Sequence, residues 1–406
     1  MMKRLFLGLI CLSSVSLFAQ TELIVSELPA TSEIIENNLP WPLKMQSRLD
    51  SMMRDPLMDY TQMGIMVWDL TDDCSLFSMN HRQLLRPAST MKLVTAITAL
   101  DYLGTNYEFT TSLYYKGDIT GRTLHGDLYC VGGMDPAFSY DDMDIFARSV
   151  KQLGIDTIRG SIIADVSMKD TLKWGEGWCW DDHNPILSPL LVDRKADFLT
   201  MFISALNNYE IALEDVTIQN GTLDKEAKLL SQRKRNIDQI LYRMMKDSDN
   251  LYAESMYYQI AACSDQPAKA LYAQRLERAL MERAGLNSSN YRLADGSGLS
   301  LYNYLSAECL LRLLRYAYKH KRIYDHLLAS LPIAGEDGTL KKRMKETFAE
   351  GNVRAKTGTL TGIISLAGYC TASNGHRLCF AIINQGVQRS RDGRDYQDKI
   401  CNIICE

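Results

Sequence analysis

Apolar and polar positions along this chain repeat with two different periods, which predict two kinds of element. Three runs have the apolar, extended pattern of paired strands, at 64–70, 363–369 and 378–384. Segments with the helical period follow the first run, at 90–103, 237–245, 250–262 and 268–284, and Gly285 ends the last of them. We therefore predict one antiparallel sheet flanked by helices.

The middle of the chain, residues 112–232, shows short strand-like runs between glycine and aspartate turn signals. Residues 160–164 and 216–219 are predicted strands, and 144–153 and 197–207 are predicted helices. The fold class is therefore α+β. A smaller α+β domain at 112–232 is predicted to be inserted into a larger domain that residues 44–111 and 233–406 form.

The N-terminus has the features of a secretory signal peptide. Lys3 and Arg4 precede an apolar stretch of about 14 residues, shorter than the roughly 20 that a membrane-spanning helix needs. We predict a signal peptide at 1–19, an extended arm at 20–43 and a periplasmic location. No integral membrane segment is expected after removal of the signal.

Composition narrows the function classes. The 406 residues are 46% apolar, enough for a large core, and the formal net charge of −4 implies no nucleic-acid partner. The basic run Arg233-Lys234-Arg235 is predicted to be a solvated face. Most cysteines lie inside apolar runs, so mostly free thiols are expected, and no Cys/His spacing is typical of a metal site. Neither a metal nor a cofactor is predicted.

Three short strings occur in one order: Ser89-Thr90-Met91-Lys92, Ser248-Asp249-Asn250 and Lys356-Thr357-Gly358-Thr359. Each alone also has a structural interpretation, as a helix cap, a turn and the start of an ordinary strand. Together they supply a nucleophile, a base, a proton relay and an anion-binding strand, which are the parts of the penicillin-recognising acyl-enzymes.

The spacing within the first string suits nucleophilic catalysis. Residues three apart on a helix share a face, roughly 5–6 Å apart at Cβ, so Lys92 is predicted to lie beside Ser89. A serine hydroxyl is a weak nucleophile until a base takes its proton. A lysine serves as that base only when burial or a nearby cation lowers its pKa, and Lys356 is predicted to be such a cation.

The flanks of these strings carry a family resemblance. They are Pro87-Ala88 before the first string, and Asp295-Gly296-Ser297-Gly298-Leu299-Ser300 and Gly335-Glu336-Asp337-Gly338-Thr339-Leu340 before the third. With two further segments, 126–136 and 178–182, the set resembles the class C low-molecular-mass penicillin-binding proteins, the D-alanyl-D-alanine carboxypeptidase/endopeptidases. The resemblance extends from about residue 63 to residue 387.

This resemblance implies a serine β-lactamase/DD-peptidase-like catalytic domain in a periplasmic serine DD-peptidase. It would cleave D-Ala-D-Ala, peptide cross-links of peptidoglycan, or both, through an acyl-enzyme on Ser89 and without a cofactor. Its partners would be peptidoglycan stem peptides and β-lactam inhibitors, while the oligomeric state is left open. The implied catalytic residues are Ser89, Lys92, Ser248, Asn250 and Lys356, and the implied substrate-binding residues are Thr357, Gly358, Thr359 and Asp182.

The role of Asp182 comes from the segment Trp178-Cys179-Trp180-Asp181-Asp182. In the resembling family, an aspartate after this aromatic stretch binds the free amine of a diaminopimelate side chain, and the match carries that role to Asp182. The alternative is that Asp181 and Asp182 cap a turn before Pro185.

Two other functions share part of the pattern. A class A β-lactamase would need a glutamate that activates the deacylating water, and the candidate by position is Glu282, whose spacing to Leu286-Asn287 is one residue too long. A non-catalytic penicillin-binding protein would be expected to lack a catalytic residue, whereas all of them are present.

Overall fold

The computed structural model describes residues 39–182 and 185–406. The described residues divide into two compact units, 39–55 and the part of the chain from 56 to 406. The predicted signal peptide, and the predicted arm as far as residue 38, lie outside the described residues. Within the described ranges, no helix combines the length and the apolar character that crossing a bilayer requires.

Helices and strands are interspersed along the described chain. In chain order they are α1 (Leu43–Met52), β1 (Gln62–Asp69), β2 (Cys74–Met79), α2 (Met91–Tyr102), β3 (Glu108–Thr120), β4 (Thr123–Val131), α3 (Tyr140–Gln152), β5 (Thr157–Arg159), β6 (Ser161–Asp165), α4 (Phe198–Asn208), β7 (Ala212–Leu213), β8 (Thr217–Asn220), β9 (Lys228–Asn236), α5 (Ile237–Lys246), α6 (Asn250–Ser264), α7 (Ala270–Arg283), α8 (Ala307–Lys319), α9 (Lys321–Ser330), β10 (Arg354–Leu360), β11 (Ile363–Thr371), β12 (Arg377–Gln385) and α10 (Ser390–Cys405).

The first sheet contains the three strands that periodicity predicts, each within two residues of its predicted ends. Among the described residues it has five antiparallel strands, in the order β10-β11-β12-β1-β2. Helix α8 packs against β12 and β1, and α10 packs against β11. Because both faces are covered, every residue from 363 to 370 of β11 is buried, and the strand is a nearly continuous apolar run. The predicted sheet flanked by helices is confirmed.

Helix α2 lies in the core beside this sheet and is buried on every side from Met91 to Leu100. Such a helix is expected to be apolar all round, and this one packs against α6 and α8. Lys92 is the single charged residue in that buried stretch. A fully buried lysine in an otherwise uncharged stretch of helix needs an explanation from function.

The second sheet is mixed and carries its own apolar core. Strand β3 pairs antiparallel with β4 and β9, whereas β4 pairs in parallel with β5 and β6. Its core includes the buried rings of Phe138, Phe146 and Phe202. The predicted strands at 160–164 and 216–219 are confirmed, as are both predicted helices. Periodicity did not reveal β3, β4 and β9, and β9 is mostly exposed or half-buried.

Apart from Phe109 of β3, which packs in the first core, the two sheets contribute to separate apolar cores. The predicted boundaries near 112 and 233 fall inside β3 and β9, and the division at those residues stays a prediction. The basic run at 233–235 lies on β9 and is less solvated than expected. Arg233 Nε lies 2.6 Å from Asp142 Oδ1, and Arg235 also binds this buried carboxylate.

Candidate active site

Ser89 lies in a short 3₁₀ turn, Ala88–Thr90, that leads directly into α2. The preceding Ala88 has a φ of 47°, in the left-handed region that residues other than glycine rarely adopt. Ser89 is half-buried, while Lys92 is fully buried one turn further on. Lys92 Nζ lies 3.0 Å from Ser89 Oγ, so the pair that the spacing predicts is formed.

Lys92 has two further hydrogen bonds, and both acceptors are oxygens that cannot donate. Its Nζ donates to Asn250 Oδ1 at 2.7 Å and to the carbonyl oxygen of Ser297 at 2.7 Å. A neutral amine has two hydrogens and one lone pair. With both hydrogens held by these oxygens, the lone pair of neutral Lys92 points to the hydroxyl of Ser89.

The surroundings of Lys92 favour a neutral amine. Burial lowers its pKa from 10.5 to about 8, against the opposing charges of Asp295, Glu254 and Asp249. A substantial neutral fraction therefore exists near neutral pH. The sequence interpretation named burial together with the nearby cation Lys356, and burial is the largest cause of the lowered pKa.

The second string brings Ser248 to the buried Lys356. Lys356 Nζ donates to Ser248 Oγ at 2.8 Å and to the carbonyl oxygen of Thr357 at 2.7 Å. Ser248 has a φ of 60°, a second left-handed residue beside the site. Burial, and then the charge of Lys92, hold the pKa of Lys356 well below its usual value.

Strand β10 carries the third string along the edge of the first sheet, next to Ser89. A Cβ at Gly358 would lie 3.0 Å from Ser89 N and would collide with Ser365 Oγ, so only glycine allows this approach. Thr357 Oγ1 donates to Thr339 Oγ1 at 2.8 Å, and Thr359 is exposed. The strand thus lines up hydroxyl groups beside the serine.

Sequence reasoning missed the groups beneath Lys92. The carbonyl of Ser297 belongs to a turn that the Asp295 carboxylate organises, accepting from the backbone N–H groups of Gly298 and Ser300 at 2.8 Å each. Glu254 Oε1 accepts from the N–H of Ser297 at 2.7 Å, and burial raises the pKa of Glu254 to about 8.

Both groups left a signal in the sequence, although neither signal pointed to Lys92. The turn was visible as part of the Asp295–Ser300 motif, yet a backbone carbonyl has no signature of its own. Glu254 lies four residues after Asn250, hence on the same face of α6.

Asp182 lies on a loop that reaches the same turn through another residue. Trp178 Nε1 donates to Asp295 Oδ2 at 2.8 Å. The carboxylate of Asp182 accepts from the N–H of Cys179 at 2.7 Å, which is the contact expected of a turn cap. Its role toward substrate stays a prediction.

Glu282, the candidate of the β-lactamase alternative, caps the turn after α7 by accepting from the N–H of Ser288 at 2.8 Å.

One group of side chains in the described residues has the spacing of metal ligands: Asp69, Asp72 and His376. The buried Asp69 already accepts from His376 Nδ1 at 2.7 Å and from the N–H of Thr71 at 2.8 Å. These bonds explain its burial without an ion.

Comparison with known proteins agrees with this geometry. The model of the D-Ala-D-Ala carboxypeptidase 3 (S13) family matches residues 45–191 and 190–405. A D-alanyl-D-alanine carboxypeptidase of Actinomadura sp. is 26% identical, over 84% of this chain and 81% of its own length. The D-alanyl-D-alanine carboxypeptidase DacB of Haemophilus influenzae is 24% identical, over 79% of this chain and 84% of its own length.

A solved structure shows the same fold. The crystal structure of penicillin binding protein 4 from Haemophilus influenzae aligns with a TM-score of 0.81 at 21% identity, covering 89% of this chain and 99% of that one. The α+β fold predicted from the sequence is therefore confirmed.

Proposed function

The chain belongs to the D-Ala-D-Ala carboxypeptidase 3 (S13) family and is a serine-type D-Ala-D-Ala carboxypeptidase, and we propose that its reaction runs through an acyl-enzyme on Ser89. One observation carries this proposal. Lys92 is buried, its pKa is lowered, and two acceptor oxygens orient its amine toward Ser89 Oγ at 3.0 Å.

Acylation begins when neutral Lys92 takes the hydroxyl proton of Ser89. Ser89 Oγ attacks the carbonyl carbon of the penultimate D-alanine, and the carbonyl oxygen becomes an oxyanion. The N–H groups of Ser89 and Thr359 bind that oxyanion, in the manner of an oxyanion hole. Asn250 accepts from Lys92 through Oδ1, which leaves its NH₂ group to hold the amide of the substrate.

Collapse of the intermediate breaks the C–N bond, and the leaving amine needs a proton. Ser248 gives its hydroxyl proton to that amine and is recharged through Lys356, whose Nζ lies 2.8 Å away. The released group is D-alanine, or a cross-linked peptide when the enzyme acts as an endopeptidase. Water then takes the place of the amine and attacks the ester carbonyl, giving a proton through Ser248 back to Lys356. Lys92 returns its proton to Ser89 Oγ as the ester C–O bond breaks, which restores the free enzyme.

The carboxylate that ends the substrate binds to β10. Thr359 donates its hydroxyl hydrogen to it, and Thr357 does the same when its single O–H turns from Thr339 Oγ1 to the carboxylate. Gly358 lets this strand approach the serine closely enough for one substrate to reach both. A terminal carboxylate next to the scissile bond is the feature that D-Ala-D-Ala and penicillins share.

The site of action is proposed to be the periplasm, because residues 1–19 have the pattern of a signal peptide. Peptidoglycan stem peptides are the substrates there, and β-lactams act as inhibitors by acylating the same serine.

The test is the identity of the acylated residue. Incubation with penicillin is expected to add the mass of the drug to the peptide that contains Ser89, and Ser89→Ala is expected to abolish the adduct. Loss of a nucleophile costs on the order of 10⁶ in rate in comparable enzymes. An adduct that persists in Ser89→Ala would refute the assignment.

A further inference from the structure

The turn at residues 192–195 has an unusual residue at a position that favours glycine. Val192 and Lys195 exchange both backbone hydrogen bonds, at 3.0 and 2.9 Å. The two residues between them, Asp193 and Arg194, have φ values of 44° and 69°. Two-residue turns of this kind favour Asn-Gly, because both central residues have positive φ. An arginine held in this conformation is a strained residue, which calls for a functional hypothesis.

The guanidinium of Arg194 reaches away from the second sheet to the catalytic string. Val192 belongs to the apolar core of that sheet. Arg194 Nη1 lies 2.6 Å from Asp249 Oδ2. Asp249 stands between Ser248 and Asn250 in the chain, and 9% of its side chain and 36% of that of Arg194 are exposed, so this ion pair is partly shielded from water.

Asp249 also fixes the start of α6. Its Oδ1 accepts from the N–H of Leu251 at 3.0 Å, which caps the helix at the residue where Asn250 begins it. A second arginine, Arg243, lies 3.3 Å from the same Oδ2 but is half exposed. Arg194 therefore makes the shorter and more shielded of the two ion pairs with this carboxylate.

We propose that Arg194 is a positioning residue for acylation, which holds Asp249 so that Ser248 and Asn250 meet the two catalytic lysines. This inference rests on the proposed function, because it gives Ser248, Asn250, Lys92 and Lys356 their catalytic roles. It adds a residue outside all three catalytic strings, contributed by the segment predicted to form the inserted domain. The strain at Arg194 is explained because this conformation carries its side chain to Asp249.

The positive charge of Arg194 is expected to affect the pKa of Lys92, whereas a purely structural role of its side chain would leave that pKa unchanged. The charges that act on Lys92 are those of Asp295 in the turn, then Glu254 and Asp249 of the α6 segment. Lys356 of β10 is in turn affected by the charge of Lys92. The charge of Asp249 raises the pKa of Lys92, and Arg194 offsets that charge. Without Arg194, Lys92 holds its proton to higher pH, and acylation requires more alkaline conditions.

The experiment measures the rate of penicillin acylation of the full chain from pH 6 to pH 10 in Arg194→Ala, Arg194→Gln and Arg194→Lys. For the first two we expect the acid limb to move up by about 0.3–0.5 pH unit, with a rate at pH 7 that is roughly two- to threefold lower, because Arg243 still pairs with Asp249. Arg194→Lys should restore most of the wild-type pH profile and most of the rate at pH 7. Asp249→Asn should move the limb in the opposite direction.

The matched control is Arg159→Ala, which breaks an exposed ion pair with Glu214, 2.5 Å apart on the second sheet. It should leave the rate and the pH profile unchanged. Melting temperatures are recorded for each variant, and Arg194→Gln supplies the charge test if Arg194→Ala does not fold.

Three outcomes decide the matter. A shifted limb that lysine rescues supports the proposal. An unchanged profile, or a loss that is equal at every pH and not rescued by lysine, overturns it while the proposed function stands. Acylation that persists in Ser89→Ala, measured in parallel, overturns the proposed function itself.

Discussion

Replacing Asn250 by aspartate tests whether Lys92 is the base, because the side chain keeps its shape and gains one charge. Its oxygen lies 2.7 Å from Lys92 Nζ. An opposite charge at such range raises the pKa of an amine by about 1–3 units. Lys92 must be neutral to accept the proton of Ser89, so a higher pKa leaves fewer competent molecules at a given pH.

The magnitude follows from the starting value. With a pKa of about 8, roughly one tenth of the wild-type molecules hold a neutral Lys92 at pH 7. In Asn250→Asp that fraction falls to between roughly one hundredth and one ten-thousandth. Acylation at pH 7 is therefore expected to slow by about 10- to 1000-fold, which corresponds to about 1.4–4 kcal/mol.

The assay is the rate of penicillin acylation as a function of pH, followed by rapid quenching and intact mass. The wild-type rate should rise between pH 6 and pH 9 as Lys92 loses its proton, with a midpoint near pH 8. In Asn250→Asp the midpoint should move up. Asn250→Ala is the control, because it loses the contact with substrate at every pH but adds no charge. A midpoint common to both variants would show that Lys92 is not the base.

Two further predictions concern the proton relay and the inserted segment. Ser248→Ala should slow acylation by peptide about 10²–10⁴-fold with little change in melting temperature, whereas normal turnover with a lowered melting temperature would reduce Ser248 to a structural role. Asp182→Asn should weaken kcat/KM for peptides with a free diaminopimelate amine by the equivalent of about 2–5 kcal/mol and should spare peptides whose amine is acetylated. Equal losses of kcat/KM on both peptides would show that Asp182 only stabilises its own turn, by accepting from the N–H of Cys179.

The parts of the site that the sequence could predict are those governed by local geometry. The three-residue spacing of Ser89 and Lys92 predicts their contact once the chain is helical there, and the 3₁₀ turn Ala88–Thr90 that leads into α2 provides that geometry. The strands of the first sheet were predictable for a related reason. Burial on both faces leaves a nearly continuous apolar run in β11.

The missed parts depend on contacts between segments far apart in the chain. Glu254 meets the Ser297 N–H across 43 positions, and Arg194 meets Asp249 across 55. At such separations, no rule of helix or strand spacing predicts that the two residues of a pair are in contact. Strand β9 was missed for another reason. Its side chains are exposed or half-buried, and its basic run pairs with Asp142. The alternation of apolar and polar residues that is typical of a strand is therefore not visible in the sequence.

Residues that flank the catalytic strings keep the backbone around the site in a strained conformation. Ala88 and Ser248 each occupy the left-handed region, at a cost of about 1–3 kcal/mol per residue. Beside Ser89, the carbonyl of Pro87 accepts from Ser365 Oγ at 2.5 Å, and Gly298, itself at a φ of 79°, packs so closely on the Ala88 carbonyl that a Cβ would collide with it.

These contacts fix the backbone around Ser89 before any substrate arrives. The same turn presents the Ser297 carbonyl to Lys92, so one short segment both holds the strained backbone beside the nucleophile and orients its base. The glycines and prolines that carry the family resemblance around the catalytic serine are therefore signs of one particular backbone conformation. Those residues accompany the reaction because they hold the backbone in the form in which the Ser297 carbonyl orients Lys92 toward Ser89.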